Sequence, residues 1–398
     1  MADFRLTAQQ LALRERVREF VRQEISPRLQ EVDADYREGR IAHEIIRAAA
    51  GAGILALPVP EAYGGAGGNN LDCAVVLEEL AAGDGGIATA IGASWFGQTP
   101  ILMAARRERR EEWLRRCAEP EPYLVCMAMT EPAGGGAIED PKQAMRTVQT
   151  RVRADGDELV ITGTKLWPSN FDVASLYTVV ATTDAQAGAK GSCLVVVERE
   201  SLGLSVGPAV HKMGMNADRN GEIIFDMVRV PRDHLLGEVG DGLRLLQRTL
   251  AYNRVGAAAI SIGMARGALE RAVAWLRERS VGTEVLSDHP VVRYLLGDAA
   301  VKLDAARLLA WRAAWHNSQP GQHSLYWASM AKVYASDVAM EVTTRAVQLM
   351  GSLGYSREVG VEKHMRDAKI VQIYIGPNEL VQQEVGEQFV ADGGSMFY

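Results

Sequence analysis

Apolar residues recur at helical spacing through the first third of the chain. Leu13, Val17, Phe20, Val21 and Ile25 follow Thr7-Ala-Gln-Gln10, a pattern that caps a helix start. Pro27 is expected to close that helix, because it lacks the N–H a helix interior needs. Ile45 to Leu55 predicts a second helix, Cys73 to Ala82 a third, and Ile87 to Phe96 a further one in small residues. Between the second and third, Pro58-Val-Pro-Glu-Ala-Tyr-Gly-Gly-Ala-Gly-Gly68 is a loop by composition.

From about residue 121 the period shortens to two. Leu124 to Met129, Arg146 to Ala154, Glu158 to Lys165, Leu176 to Thr182, Ser192 to Val197 and Glu222 to Val230 predict strands, rich in β-branched residues. Asp155-Gly156-Asp157 is a hairpin signal between two of them. Helical spacing returns near 236. Gly240 to Arg279, Pro290 to His316 and Leu325 to Met350 are long and nearly unbroken, and Pro377 to Val390 is the last. Long helices joined by short loops predict a four-helix bundle. The chain therefore reads as α+β, mostly α: an N-terminal helical domain over 1–120, a middle β domain over 121–235 and a C-terminal helical bundle over 236–398.

Composition narrows the function classes. With 398 residues the chain is near the upper limit for one core. A net charge of −7 argues against general nucleic-acid binding. No apolar run reaches the length of a membrane span, and no apolar stretch of a signal peptide follows Met-Ala-Asp-Phe-Arg-Leu-Thr. A cytoplasmic location is expected. Cys73, Cys117, Cys126 and Cys193 form no Cys-x-x-Cys pair, which fits a reducing compartment and not a zinc site.

The chemistry concentrates in Val361 to Gln383. A helical run ends at Gly376-Pro377 and a new one begins. Pro377 suits a first turn, and the glycine lets a ligand approach the backbone. Alone, such a corner is ordinary. Here Arg366-Asp-Ala-Lys369, Gln372-Ile-Tyr374, Gly376 and Asn378-Glu379 resemble the C-terminal signature of the acyl-CoA dehydrogenase family. The resemblance covers essentially the whole chain. It implies that family's fold, with a barrel-like middle domain, and FAD as cofactor. The implied reaction removes two hydrogens from the α and β carbons of an acyl thioester, on CoA or a carrier protein. In most members a glutamate between the tyrosine and the glycine is the base. Here Ile375 stands there, and an isoleucine accepts no proton.

The same resemblance assigns further roles. Met129-Thr130-Glu-Pro132 would start the loop that holds the flavin, with Thr130 against the isoalloxazine. The usual Gly-Ala-Gly-Ser-Asp continuation is Ala133-Gly-Gly-Gly136-Ala137, so the serine that helps hold the pantetheine region is missing at Gly136. Trp167 would pack on the flavin ring. Ser169 would bond flavin N5, and Pro168 between them is unusual. Gln348-Leu-Met-Gly351-Ser352 resembles a turn that meets the FAD pyrophosphate of a neighbouring subunit, and Arg279 or Arg277 is placed to pair with a diphosphate. Gly376 and Asn378 complete the expected cofactor contacts. Gly92 and Ala93 would line the acyl pocket, with Asn253, Arg254 and Tyr374 also facing substrate.

For a base, Asp84 in Ala82-Gly-Asp-Gly85 is the first candidate and Glu379 a weaker one; Asn253-Arg254 lacks the glutamate some members carry there. Tyr374, being neutral near pH 7, is a poor base. His211 reads as a packing residue. Two other readings remain: a flavin-dependent oxidase or monooxygenase on the same scaffold, and a non-catalytic flavin-binding subunit. The resemblance implies a homotetramer built as a dimer of dimers, with an electron-transfer flavoprotein as redox partner; the departures at Ile375 and in the loop after Pro132 point to a specialised rather than degradative pathway.

Overall fold

The structure, a computed structural model, describes residues 5–140, 142–319 and 321–394. Helix α1 (Ala8–Phe20) starts as its capping box dictates: Gln10 N donates to Thr7 Oγ1 at 3.2 Å and Thr7 N to Gln10 Oε1 at 3.0 Å. Pro27 does not end the helical run as expected. The chain passes through a π turn (Val21–Ile25) and a 3₁₀ turn (Ser26–Arg28) into α2 (Leu29–Ala34). Pro27 lies in the first positions of that tight turn, where its missing N–H costs nothing.

Four more helices follow: α3 (Arg40–Gly51), α4 (Asn70–Gly83), α5 (Gly85–Ala104) and α6 (Arg107–Cys117). One residue, Asp84, ends α4 and caps α5, accepting from Ile87 N at 2.8 Å.

The β region contains β1 (Val125–Ala128), the short α7 (Gly136–Glu139), β2 (Arg151–Asp155), β3 (Glu158–Ser169), β4 (Leu176–Thr182), β5 (Ser192–Glu198), β6 (Leu204–Val206), β7 (Asn220–Pro231) and β8 (Leu235–Leu236). Their order is β6-β7-β3-β2-β4-β5-β8, with β1 parallel to β4. The strand expected from Arg146 begins only at Arg151. The reason is Glu131, whose carboxylate accepts from Gln149 N (2.7 Å) and Thr150 N (2.9 Å) and draws that backbone out of the sheet.

The rest is helical: α8 (Gly242–Glu278), a two-residue hairpin of β9 (Ser280–Val281) and β10 (Glu284–Val285), then α9 (Pro290–Asn317), α10 (Leu325–Tyr355), α11 (Val361–Ala368) and α12 (Asn378–Ala391). Helix α8 is the central post, packed on α4, α5, α9 and α10. Its approach to α4 depends on glycine: a Cβ at Gly263 would lie 2.3 Å from Glu78 O, and one at Gly267 2.3 Å from Ala82 O. No helix among the described residues is long and apolar enough to cross a membrane.

Candidate active site

Where the helical and β parts meet, a cavity of about 120 Å³ opens. Helix α5 supplies Thr89, Gly92, Ala93 and Phe96 to its wall, α8 supplies Asn253 and Ile260, and the ends of β1 and β3 supply Met129, Thr130, Trp167 and Ser169. Tyr374 and Ile375 close it from the C-terminal corner. Sequence positions separated by more than 280 residues thus share one space.

A fault in the sheet aims the β3 residues. Pairing of β3 with β7 slips between Leu166 and Ser169. Such a bulge redirects side chains. Trp167 takes φ +70, a left-handed conformation unusual for a bulky residue, and Asn220 Nδ2 holds its carbonyl at 2.8 Å. The indole is left 48% exposed. Ser169 Oγ donates to Asp218 Oδ2 at 2.9 Å. Asp218 is buried, and its Oδ1 has no partner among the described residues. Burial pushes its carboxyl up, against the pull of Lys212 and Ser169. The loop from Met129 is anchored by Lys165, whose Nζ donates to Met129 O (3.0 Å) and Glu131 Oε1 (2.8 Å).

Ile375 also has a left-handed backbone, φ +52, where a β-branched side chain is strained. Surrounding groups hold it. Arg254 Nε donates to Ile375 O at 3.3 Å, and Lys332 Nζ donates to Gly376 O (2.5 Å) and Asn378 Oδ1 (2.8 Å). Arg254 is fully buried and bonds Ser329 and Glu384 at 2.6 Å each, with Glu139 at 3.4 Å. It braces the corner from behind and does not line the cavity. Burial lowers Lys332 to about 7, helped by the Arg254 charge. The buried Tyr374 hydroxyl has no hydrogen-bond partner among the described residues, since Thr89, the hydroxyl it faces, donates to Met215 Sδ at 3.3 Å.

Other expected site residues lie elsewhere. Asp84 is fully buried outside the cavity wall: besides capping α5, its Oδ2 sits 2.6 Å from Lys363 Nζ, which also meets Asp367 at 2.5 Å. Glu379 is exposed on α12. Gly136 packs beside Pro377, whose Cγ and Cδ would be 3.6 Å from an added Cβ. Asn378 bonds Ser336 and Asp337 at 2.9 Å each. Arg279, Gln348, Gly351 and Ser352 are exposed near the C-terminal ends of α8 and α10, and Gly351 breaks α10 with φ +61 and ψ −138. Asp218 and Lys332 were not anticipated. The one sequence signal for Asp218 was the polar run Asn216-Ala-Asp-Arg-Asn220 leading into an apolar strand.

The residues present fit a flat aromatic cofactor. An exposed indole at the cavity lip, a serine hydroxyl already oriented by a carboxylate and the half-buried Thr130 offer a face and polar contacts to one bound group.

Three family descriptions match in order along the chain: acyl-CoA dehydrogenase N-terminal domain over 7–121, middle domain over 126–228 and C-terminal domain over 240–389. A probable acyl-CoA dehydrogenase of Mycobacterium leprae is 34% identical, with 95% of this chain and 94% of that protein covered. The cyclohex-1-ene-1-carbonyl-CoA dehydrogenase of Geobacter metallireducens is 36% identical over 96% of this chain and 98% of its own length. Among solved structures, butyryl-CoA dehydrogenase from Megasphaera elsdenii superposes with a TM-score of 0.92 at 32% identity, covering 98% of this chain and all of that one.

Proposed function

The chain belongs to the acyl-CoA dehydrogenase family of FAD-dependent flavoprotein oxidoreductases, and from that premise we propose that it oxidises the α,β carbons of an acyl thioester with a proton acceptor other than residue 375. The thioester is carried on CoA or a carrier protein. The observation that supports this reading is the single cavity that joins Thr130, Trp167 and Ser169 to Tyr374 and Ile375. Thr130, Trp167 and Ser169 would hold the flavin, which when bound supplies the two-electron acceptor. Gly92, Ala93 and Phe96 leave an apolar slot for the acyl group.

The reaction must also lose the α proton. Ile375 offers no site for it. Ser169 does, because its own proton can pass to Asp218 Oδ2 as its oxygen takes another from the substrate. The α C–H bond breaks, its electron pair forms the new double bond, and the β hydrogen leaves with its electrons. Asp218 acts here through Ser169 as a positioning and proton-storing residue. An electron-transfer flavoprotein is the partner this reading implies for reoxidation.

The test is anaerobic flavin bleaching by a panel of acyl-CoAs. The native protein is expected to bleach, and Asp218→Asn to do so about 10²–10⁴-fold more slowly, the usual worth of general-base catalysis. Ser169→Ala should fall with it and Ser169→Thr should recover. Bleaching only after Ile375→Glu would mean that the scaffold binds thioesters but has left desaturation. Oxygen consumption by the reduced protein would then be measured.

A further inference from the structure

A second chamber, of about 360 Å³, adjoins the cavity. Leu77, Gly92, Asn253 and Gly256 belong to the walls of both. Glycine adds no side chain to the wall they share, and Leu77 packs against it there. A Cβ at Gly92 would stand 3.2 Å from Leu77 Cδ2, and one at Gly256 3.1 Å from Leu77 Cδ1. The two spaces differ in chemistry. The inner cavity presents Phe96, Met127 and Ile260, whereas the outer chamber presents Asn70, Arg248, Tyr252 and His323.

Arg248 is the one formally charged residue among those that line the chamber, and it makes no ion pair with any described residue. Its Nη2 lies 2.5 Å from His323 Nε2. A guanidinium can only donate, so Nε2 accepts and the proton of the neutral ring sits on Nδ1. Burial and the Arg248 charge hold His323 below its usual range, in keeping with a neutral ring. Arg248 Nε–H and His323 Nδ1–H are then two donors shielded from solvent with no acceptor among the described residues. Asn70 Oδ1 is a third unpartnered atom, its amide nitrogen being spent on Tyr252 O at 3.3 Å. Buried donors are seldom left unmatched. Two of them beside an uncompensated positive charge make a place for an oxyanion.

We propose that this chamber receives the far end of the acyl group, and that this end carries a carboxylate held by Arg248 and His323. The proposal rests on the thioester reading above and adds a substrate class to it: acyl chains with an anionic, oxygenated terminus. An oxyanion could also come from the phosphates of the carrier, and the experiment separates the two sources.

Binding is measured by calorimetry on flavin-loaded enzyme that has been reduced beforehand, so that no turnover occurs. The ligands are straight-chain acyl-CoAs, their ω-carboxylated counterparts of equal length, and free CoA. The ω-carboxylated series is expected to bind more tightly. Arg248→Met should erase that advantage, about tenfold to a hundredfold for a charge-assisted pair, and leave the plain acyl-CoAs unchanged. Arg248→Lys, which keeps the charge but loses the planar fork, should retain part of it. It also serves if the methionine variant fails to load flavin. Equal affinity of the native protein for both acyl series would overturn the proposal. So would uniform weakening of all three ligands, which would assign the arginine to the carrier's phosphates. Flavin bleaching by plain acyl-CoAs is scored separately, since its absence counts against thioester oxidation and not against the chamber.

Discussion

Two buried ion pairs show how single residues set this site. Glu131 and Lys165 lie 2.8 Å apart with almost no exposure. Burial alone would raise the Glu131 carboxyl, but Lys165 and the amides of Thr150 and Gln149 outweigh it and hold it low. Glu131→Gln leaves Lys165 buried without a counter-charge, and breaking such a pair costs about 3–5 kcal/mol. Urea unfolding should report a loss of that size. Flavin retention should fall as well, because the loop carrying Thr130 loses its anchor; unchanged retention would show that the loop holds its shape by other means. The second pair, Asp84 with Lys363, engages the carboxylate that the sequence offered as its first candidate for a base. A carboxylate in a Gly-rich turn near the acyl pocket looks available. Its pairing with Lys363, almost 280 positions away, is invisible in the sequence. Ile375 stands out in the sequence because the motif around it is dense. The pairing of Asp218 with Ser169 does not, because it spans 49 positions and depends on a sheet bulge.

At the scale of elements, periodicity located most of the strands and all of the long helices, and it failed where side chains compete for backbone. Glu131 takes the amides of Gln149 and Thr150 from the sheet, and the short β6 and β8 carry too few residues for a period. The corner between α11 and α12 was legible from Gly376-Pro377, but its brace was not. Lys332 sits in the first third of α10 and satisfies two carbonyl-type acceptors, Gly376 O and Asn378 Oδ1. A neutral amine has two hydrogens for those two acceptors. Lys332 is lowered to about 7 from an unfolded value of 10.5, so between those limits the unfolded chain binds the extra proton. Stability must therefore rise with pH across that window and gain nothing below it. Lys165, lowered to about 8 chiefly by burial, acts in the same sense. The urea midpoint should increase from about pH 7 to about pH 9.5, and Lys332→Met should flatten much of that slope. A midpoint that falls over the same interval would contradict the assignment.

The whole molecule carries a surface that one chain does not explain. On α9, Tyr294, Val301, Leu308 and Trp315 are exposed large side chains at intervals of seven. That is the repeat of a helix seam packed on another helix. Tyr294 and Val301 are 73% and 71% exposed, more than a lone soluble chain ordinarily leaves on one stripe. The polar groups expected to serve a neighbour's cofactor tell a similar story. Arg279, Gln348 and Gly351 are exposed and line no part of the cavity that holds Trp167 and Ser169. Groups that complete a site in another copy of the chain would be placed in this way. Assembly and flavin retention should therefore be coupled. Sedimentation is expected to give a mass that is a multiple of the 43.2 kDa chain. Val301→Glu or Leu308→Glu puts charge into the seam and should reduce that multiple, with a parallel loss of bound flavin on dilution. Arg279→Ala should lower flavin retention and leave the mass unchanged, if the expected cofactor contact is made there, because the change removes no apolar packing. If the seam variants kept the native mass, the α9 stripe would not be the contact between copies; if they dissociated and still held flavin, each chain would bind its cofactor alone and the role of Arg279 and Gln348 would fall.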